Sequence, residues 1–161
     1  MTRREVLAQR LALLVPALLL GGAYLSQYGF GLYPCEMCWW QRWPHFAAVA
    51  LALLSFAVQP RRAWIALAAL AIAASGVIGV FHAGVEYHWW QGLSHCSLPP
   101  SASDDPLAAV LAQPITRCDE AAWRLFGVSL AGFNALFSLG GALAVFILLR
   151  GKRAPARRFA A

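Results

Sequence analysis

The stretch FGVSLAGFNALFSLGGALAVFILL, Phe126 to Leu149, carries no ionisable side chain. As a helix rising 1.5 Å per residue it exceeds the roughly 30 Å of hydrocarbon in a bilayer. Three further stretches read the same way: about Leu11 to Tyr28, about Trp39 to Val58 and about Ala63 to Phe81. The four together contain no Asp, Glu or Lys and a single ionised residue, Arg42. The predicted fold is therefore an all-α integral membrane domain over residues 1–161, a bundle of four transmembrane helices. Composition agrees, because 60% hydrophobic and only 12% charged residues in 161, at mean hydropathy +0.59, exceed what one soluble core can bury. Disorder, collagen and coiled coil are excluded, since they need few apolar residues, a Gly period or charged heptads.

Basic residues decide the orientation. Ten of the thirteen flank one set of span ends: Arg3, Arg4, Arg10, Arg61, Arg62, Arg150, Lys152, Arg153, Arg157 and Arg158. The positive-inside rule places that side, with both termini, in the cytoplasm. Six of the seven carboxylates fall in the outward loops, about residues 29–38 and 82–124. The net charge of +6 is thus a topology signal, with no reader motif that would suit nucleic acid. The basic start and Gly21-Gly22-Ala23 resemble a signal peptide, but the apolar run continues to Phe30 and is read as an uncleaved span. In the long loop, Asp105-Pro106 opens an expected short helix with Leu107, Val110 and Leu111 on one face.

All four cysteines lie in the outward loops: Cys35 and Cys38 as C-x-x-C, Cys96 and Cys118 in the long loop. On an oxidising side they read as disulfides, and four cysteines allow three pairings. A bridge across two residues closes so small a loop that it staples little, whereas thiol exchange exploits it. Pro34 marks a helix start, where a thiol becomes a better leaving group. Cys35, Cys38 and Arg42 then stand at i, i+3 and i+7 on one stripe, with Arg42 expected to face the sulfurs from about 6 Å along the axis. A snorkelling interfacial arginine is the plainer alternative.

Trp39, Trp40, Trp43, Trp89 and Trp90 suit an aromatic belt, or in part the walls of a flat apolar site. His82 and Glu86 are i, i+4 neighbours; they, His88 and His95 are proton-shuttle candidates, while His45 reads as a neutral packing residue. Trp39 occupies the place of the histidine that c-type haem attachment needs. A four-cysteine zinc site is the structural alternative, giving an inert or partner-binding bundle in place of an enzyme. With no nucleotide fingerprint, electrons from two redox-capable pairs leave to a small molecule in the bilayer, and a lipid quinone fits.

The Pro34-Cys35-x-x-Cys38 start, Arg42, His82 with Glu86, the Cys96 and Cys118 pair, and Cys118-Asp119-Glu120-Ala121-Ala122-Trp123 followed by Gly127, Ser129, Gly132 and Asn134 resemble the DsbB-type disulfide bond formation proteins. The resemblance covers nearly the whole chain. It implies an inner-membrane protein dithiol:quinone oxidoreductase, using ubiquinone or menaquinone, that reoxidises a periplasmic thioredoxin-like, DsbA-like oxidase. By position it implies that Cys96 forms the mixed disulfide with the partner, with Cys118 as its loop mate. Cys35 would receive attack from that pair, Cys38 would contact quinone, and Arg42 and His82 would help hold it.

Overall fold

The computed structural model describes residues 2–92 and 116–151. The helices are α1 (Arg3–Phe30), α2 (Glu36–Ala57), α3 (Arg61–Glu86) and α4 (Leu130–Leu149). Just before α4 lies an antiparallel hairpin, β1 (Arg124–Leu125) and β2 (Val128–Ser129). Cys96, His95 and the expected helix around Leu107, Val110 and Leu111 lie outside the described residues.

Local chemistry sets the helix ends. At α1 the Thr2 hydroxyl accepts from the Glu5 amide while Glu5 accepts from the Thr2 amide, a reciprocal capping box. Gly31 stops the helix at φ 68°, where a side chain is disfavoured. Cys35 itself caps α2, its sulfur accepting from the Cys38 amide at 3.4 Å. Ser129 caps α4 by accepting from Gly132 N–H at 3.1 Å.

Phe126 to Ser129 is not helical, although the apolar run continues through it. Phe126 at φ 50° and Gly127 at φ 80° form the two-residue turn between Leu125 and Val128, both in the left-handed region that a hairpin of this length favours. Tyr87 clamps the turn by donating its hydroxyl to the Gly127 carbonyl at 2.7 Å. The fourth helix therefore starts at Leu130 rather than at Phe126.

α1, α3 and α4 are long and apolar enough to cross a membrane. α2 is more polar because Gln41, Arg42 and His45 stand in its first half, all buried. Large apolar side chains instead cover the outside; Leu18 is 72% exposed and Leu136 62%. That inversion suits a lipid surround, where helices associate through small residues and interhelical hydrogen bonds. The shared surface of α3 is built from Ala68, Ala69, Ser75, Gly76 and Gly79. A Cβ on Gly76 would sit 2.8 Å from Leu139 Cγ, so only glycine permits this approach of α4.

Polar contacts join the helices at both ends. At the basic end, Arg62 pairs with Glu5 at 2.8 Å and donates to the Leu149 carbonyl, joining α1, α3 and α4. Gln9 donates to Ser55 at 3.0 Å, joining α1 to α2. Toward the other end a network of buried Gln41, His45, Ser75 and Ser138 and half-buried Asn134 links α2, α3 and α4. It leads directly to the cysteines.

Candidate functional site

Capping puts Cys35 at the mouth of α2, and the first turn brings Cys38 beneath it. The two sulfurs are 3.1 Å apart, so a bond of about 2.05 Å needs only a small closure. Cys35 is 6% exposed and packs with fully buried Met37 and with Val85; Cys38, Phe81 and Cys118 complete the cluster. Cys118 is thereby delivered to Cys35 from the far side of the long loop. The segment carrying it has a local ion pair around Cys118 and an anchor to α3 further on. Arg117 donates to Asp119 at 2.9 and 2.6 Å, which holds the Asp119 carboxyl below its usual range. Downstream, Arg124 donates to the Glu86 carbonyl at 3.1 Å, anchoring the hairpin to the end of α3.

The Cys35 thiol is pushed well up from its ordinary pKa. Hydrogen bonding with Cys118 is the largest cause, followed by hydrogen bonding with Cys38 and by burial. Cys35 in the reduced state therefore holds its proton. Cys38, one turn deeper, borders a cavity of about 280 Å³ between α1, α2 and α4.

His82 reaches this cluster from α3. Its Nε2 is 3.5 Å from the Cys35 sulfur and 3.8 Å from Glu86 Oε1, and its Nδ1 is 2.7 Å from Gln41 Nε2. The candidates Cys35, Cys38, Cys118, His82 and Glu86 thus meet in space. Arg42 differs from the expectation that it faces the sulfurs. It lines the same cavity, but its guanidinium turns to α1, donating to Gln27 Oε1 at 2.7 Å and to the Ala23 carbonyl at 3.3 Å. Tyr24 and Trp39 flank it, each ring centre 4.9 Å from the guanidinium carbon. The reason is reach: α1 supplies acceptors and π faces alongside, so the cation is satisfied before it extends to the cysteines.

None of the five tryptophans considered as walls lines the cavity. Trp39 backs Arg42, Trp90 stacks on Phe81 and Trp89 lies against Tyr87. Trp123, Phe133 and Phe137 line it instead. His45 is a packing residue as expected, with Nε2 2.9 Å from both Asn134 Oδ1 and Ser75 Oγ. His88 adopts φ 59° in the turn after α3, away from the cavity lining. Gln27 and Gln41 escaped sequence reasoning, and Asn134 entered it only through the resemblance, with no role. A polar amide inside an apolar span was the available signal, since such a group needs a buried partner.

The cavity suits a quinone ring. Its volume lies just below the roughly 300–1,000 Å³ of typical cofactor sites, room for a ring and not for a long tail. Aromatic and aliphatic side chains dominate the lining, while Arg42 supplies the donors that carbonyl oxygens need. A second donor chemistry is present as well: the ligating atoms of Cys35, Cys38 and His82 all lie within 4.8 Å of one another.

A multi-pass helical membrane protein with three cysteines gathered at one end of its bundle is the class that fold and site define. Comparison with known proteins makes this specific. The family model for disulfide bond formation protein DsbB matches residues 5–148, and the chain belongs to that family. Disulfide bond formation protein B of Marinobacter nauticus is 32% identical over 151 residues, covering 87% of this chain and 89% of the relative. Its namesake in Verminephrobacter eiseniae is 33% identical over 175 aligned positions, covering 98% and 92%. An uncharacterized protein of Rickettsia prowazekii is 26% identical over 126 residues, covering 74% and 73%. No solved structure gives a significant match. Family membership makes the protein a disulfide-forming membrane oxidoreductase.

Proposed function

We propose that the protein is a protein dithiol:quinone oxidoreductase of the bacterial inner membrane. Both termini face the cytoplasm, and the protein reoxidises a periplasmic, DsbA-like thioredoxin-fold oxidase. The observation that carries this reading is the Cys118 sulfur at Cys35, with Cys38 3.1 Å beyond it at the edge of an apolar cavity.

Exchange begins with Cys96–Cys118 and Cys35–Cys38 as disulfides. A partner thiolate attacks Cys96 and releases Cys118 as a thiolate. Cys118 attacks Cys35 and releases Cys38. The partner's second thiol resolves its mixed disulfide and leaves oxidised, freeing Cys96. Cys96 attacks Cys118, restoring the loop disulfide and releasing Cys35. Two electrons now reside on Cys35 and Cys38. Arg42 would hold a quinone beside Cys38, with His82 behind the sulfurs; when bound, it would supply the acceptor for those two electrons and two protons, and Cys35–Cys38 would return to the disulfide.

The test is absorbance of the quinone while the purified protein oxidises a reduced thioredoxin-fold oxidase. One quinone is consumed per dithiol, and Cys38→Ser abolishes both. Undiminished turnover in that variant rejects the relay. The clustered donors of Cys35, Cys38 and His82 favour a second reading, an inert bundle with a thiolate-imidazole zinc site. Stoichiometric zinc in protein purified without reductant, with no turnover, selects it.

A further inference from the structure

Two amides where α2, α3 and α4 meet, buried Gln41 and half-buried Asn134, fix which nitrogen of His82 carries its proton. Two backbone carbonyls, which only accept, anchor the assignment. The Ser75 carbonyl lies 3.2 Å from one terminal atom of Asn134, which must therefore be the nitrogen, Nδ2. Nδ2 also lies 2.7 Å from Gln41, whose atom there must accept and is Oε1. The other terminal atom of Gln41, Nε2, is 3.2 Å from the Met37 carbonyl, and this second acceptor-only group gives the same orientation independently. Gln41 Nε2 then faces His82 Nδ1 at 2.7 Å. A neutral imidazole has one N–H, and a donor facing Nδ1 leaves that nitrogen as the acceptor.

We infer that His82 stands as the Nε2–H tautomer aimed at the Cys35 sulfur 3.5 Å away, and that Gln41 and Asn134 are positioning residues that set this direction. In this state Nε2 has no lone pair with which to take the Cys35 proton. His82 instead donates to Cys35 when that sulfur is released as a thiolate at the end of exchange, a role that rests on the proposed function. Among the described residues, the groups around the ring are Glu86 on its own helix, Cys35 and Cys38 at the start of α2, and Cys118 from the loop, whose backbone also hydrogen-bonds the imidazole beside the Cys35 sulfur; Arg124 reaches the Glu86 carbonyl from the hairpin. Nothing in that set replaces Gln41 at Nδ1. Glutamine in place of a carboxylate at this position is what prevents the proton from moving to Nδ1.

Nitrogen-15 NMR of the full-length, reduced, histidine-labelled protein in lipid nanodiscs tests this, with the His82 signals identified by their loss in His82→Asn. The expected wild-type spectrum has a protonated Nε2 and a bare Nδ1. Gln41→Glu, nearly isosteric, puts an acceptor at Nδ1 and shifts the ring to the Nδ1–H tautomer or to the imidazolium. Wild-type protein with Nδ1–H, or Gln41→Glu with an unchanged tautomer, overturns the inference; the wild-type spectrum decides even where the variant does not fold. Failure of the proposed function looks different: the Nε2–H tautomer is present but no quinone is reduced.

Discussion

Arg42 donates to Gln27 Oε1 at 2.7 Å, a contact that pins the one cation of α2 to α1 rather than to water. A snorkelling arginine would extend outward, yet this one is only 6% exposed and held between Tyr24 and Trp39. The bundle thus spends two rings and an amide on orienting a guanidinium at the cavity edge. Arg42→Met, which keeps the apolar stem, should raise the KM for quinone by roughly tenfold or more, the scale of one charge-assisted hydrogen bond of about 1.5–3 kcal/mol. Gln27→Leu should raise it only a few-fold, because both rings remain. Steady-state kinetics with a soluble quinone checks the order, and equal KM values for Arg42→Met and wild type would refute it.

The raised Cys35 pKa has a direct chemical readout. A thiol held above its ordinary pKa has less thiolate at any given pH, so Cys35 in the reduced protein should alkylate roughly tenfold or more slowly at pH 8 than an unhindered thiol. Cys118→Ala removes the largest cause and should speed that labelling. Peptide mass spectrometry after timed iodoacetamide treatment reports both rates. Labelling of Cys35 that is fast and indifferent to Cys118 would contradict the contact.

Close approach of α3 and α4 depends on Gly76. Gly76→Val forces Leu139 and Ser138 aside and should destabilise the protein by about 1–3 kcal/mol, the usual cost of overpacking. Gly140, whose Cβ would meet nothing within 4 Å, should accept alanine with almost no change. Thermal unfolding in detergent separates the two, and equal losses would argue against this interface.

At the opposite end, Glu5→Gln keeps an acceptor for the Thr2 amide but removes the charge facing Arg62. The pair is partly buried, so a loss of about 1 kcal/mol is expected, shrinking in high salt. Denaturation at two ionic strengths measures it.

Much of this was legible in the sequence, and the limits have physical causes. Long charge-free runs announced the helices because lipid demands internally satisfied backbone over a fixed length. Pro34 and the cysteine spacing announced the start of α2, since a cap and one turn are local events. The hairpin at Phe126–Gly127 was hidden because an apolar turn reads like the span it precedes. Arg42 was placed on the correct stripe but given the wrong neighbours, because helical phase says which residues align on one helix and nothing about the acceptors another helix brings. The roles of Gln41 and Asn134 were not legible for the same reason: they lie in meeting across α2 and α4, 93 residues apart in the chain.

The relay stands on the transfer from Cys118 to Cys35, and a trapped disulfide measures it most directly. In the variant carrying both Cys38→Ser and Cys96→Ser, only Cys35 and Cys118 remain, and mild oxidation followed by non-reducing peptide mass spectrometry should find them joined to each other in nearly every molecule. Two sulfurs that stay unlinked, or that bond only between separate protein molecules, would contradict the account.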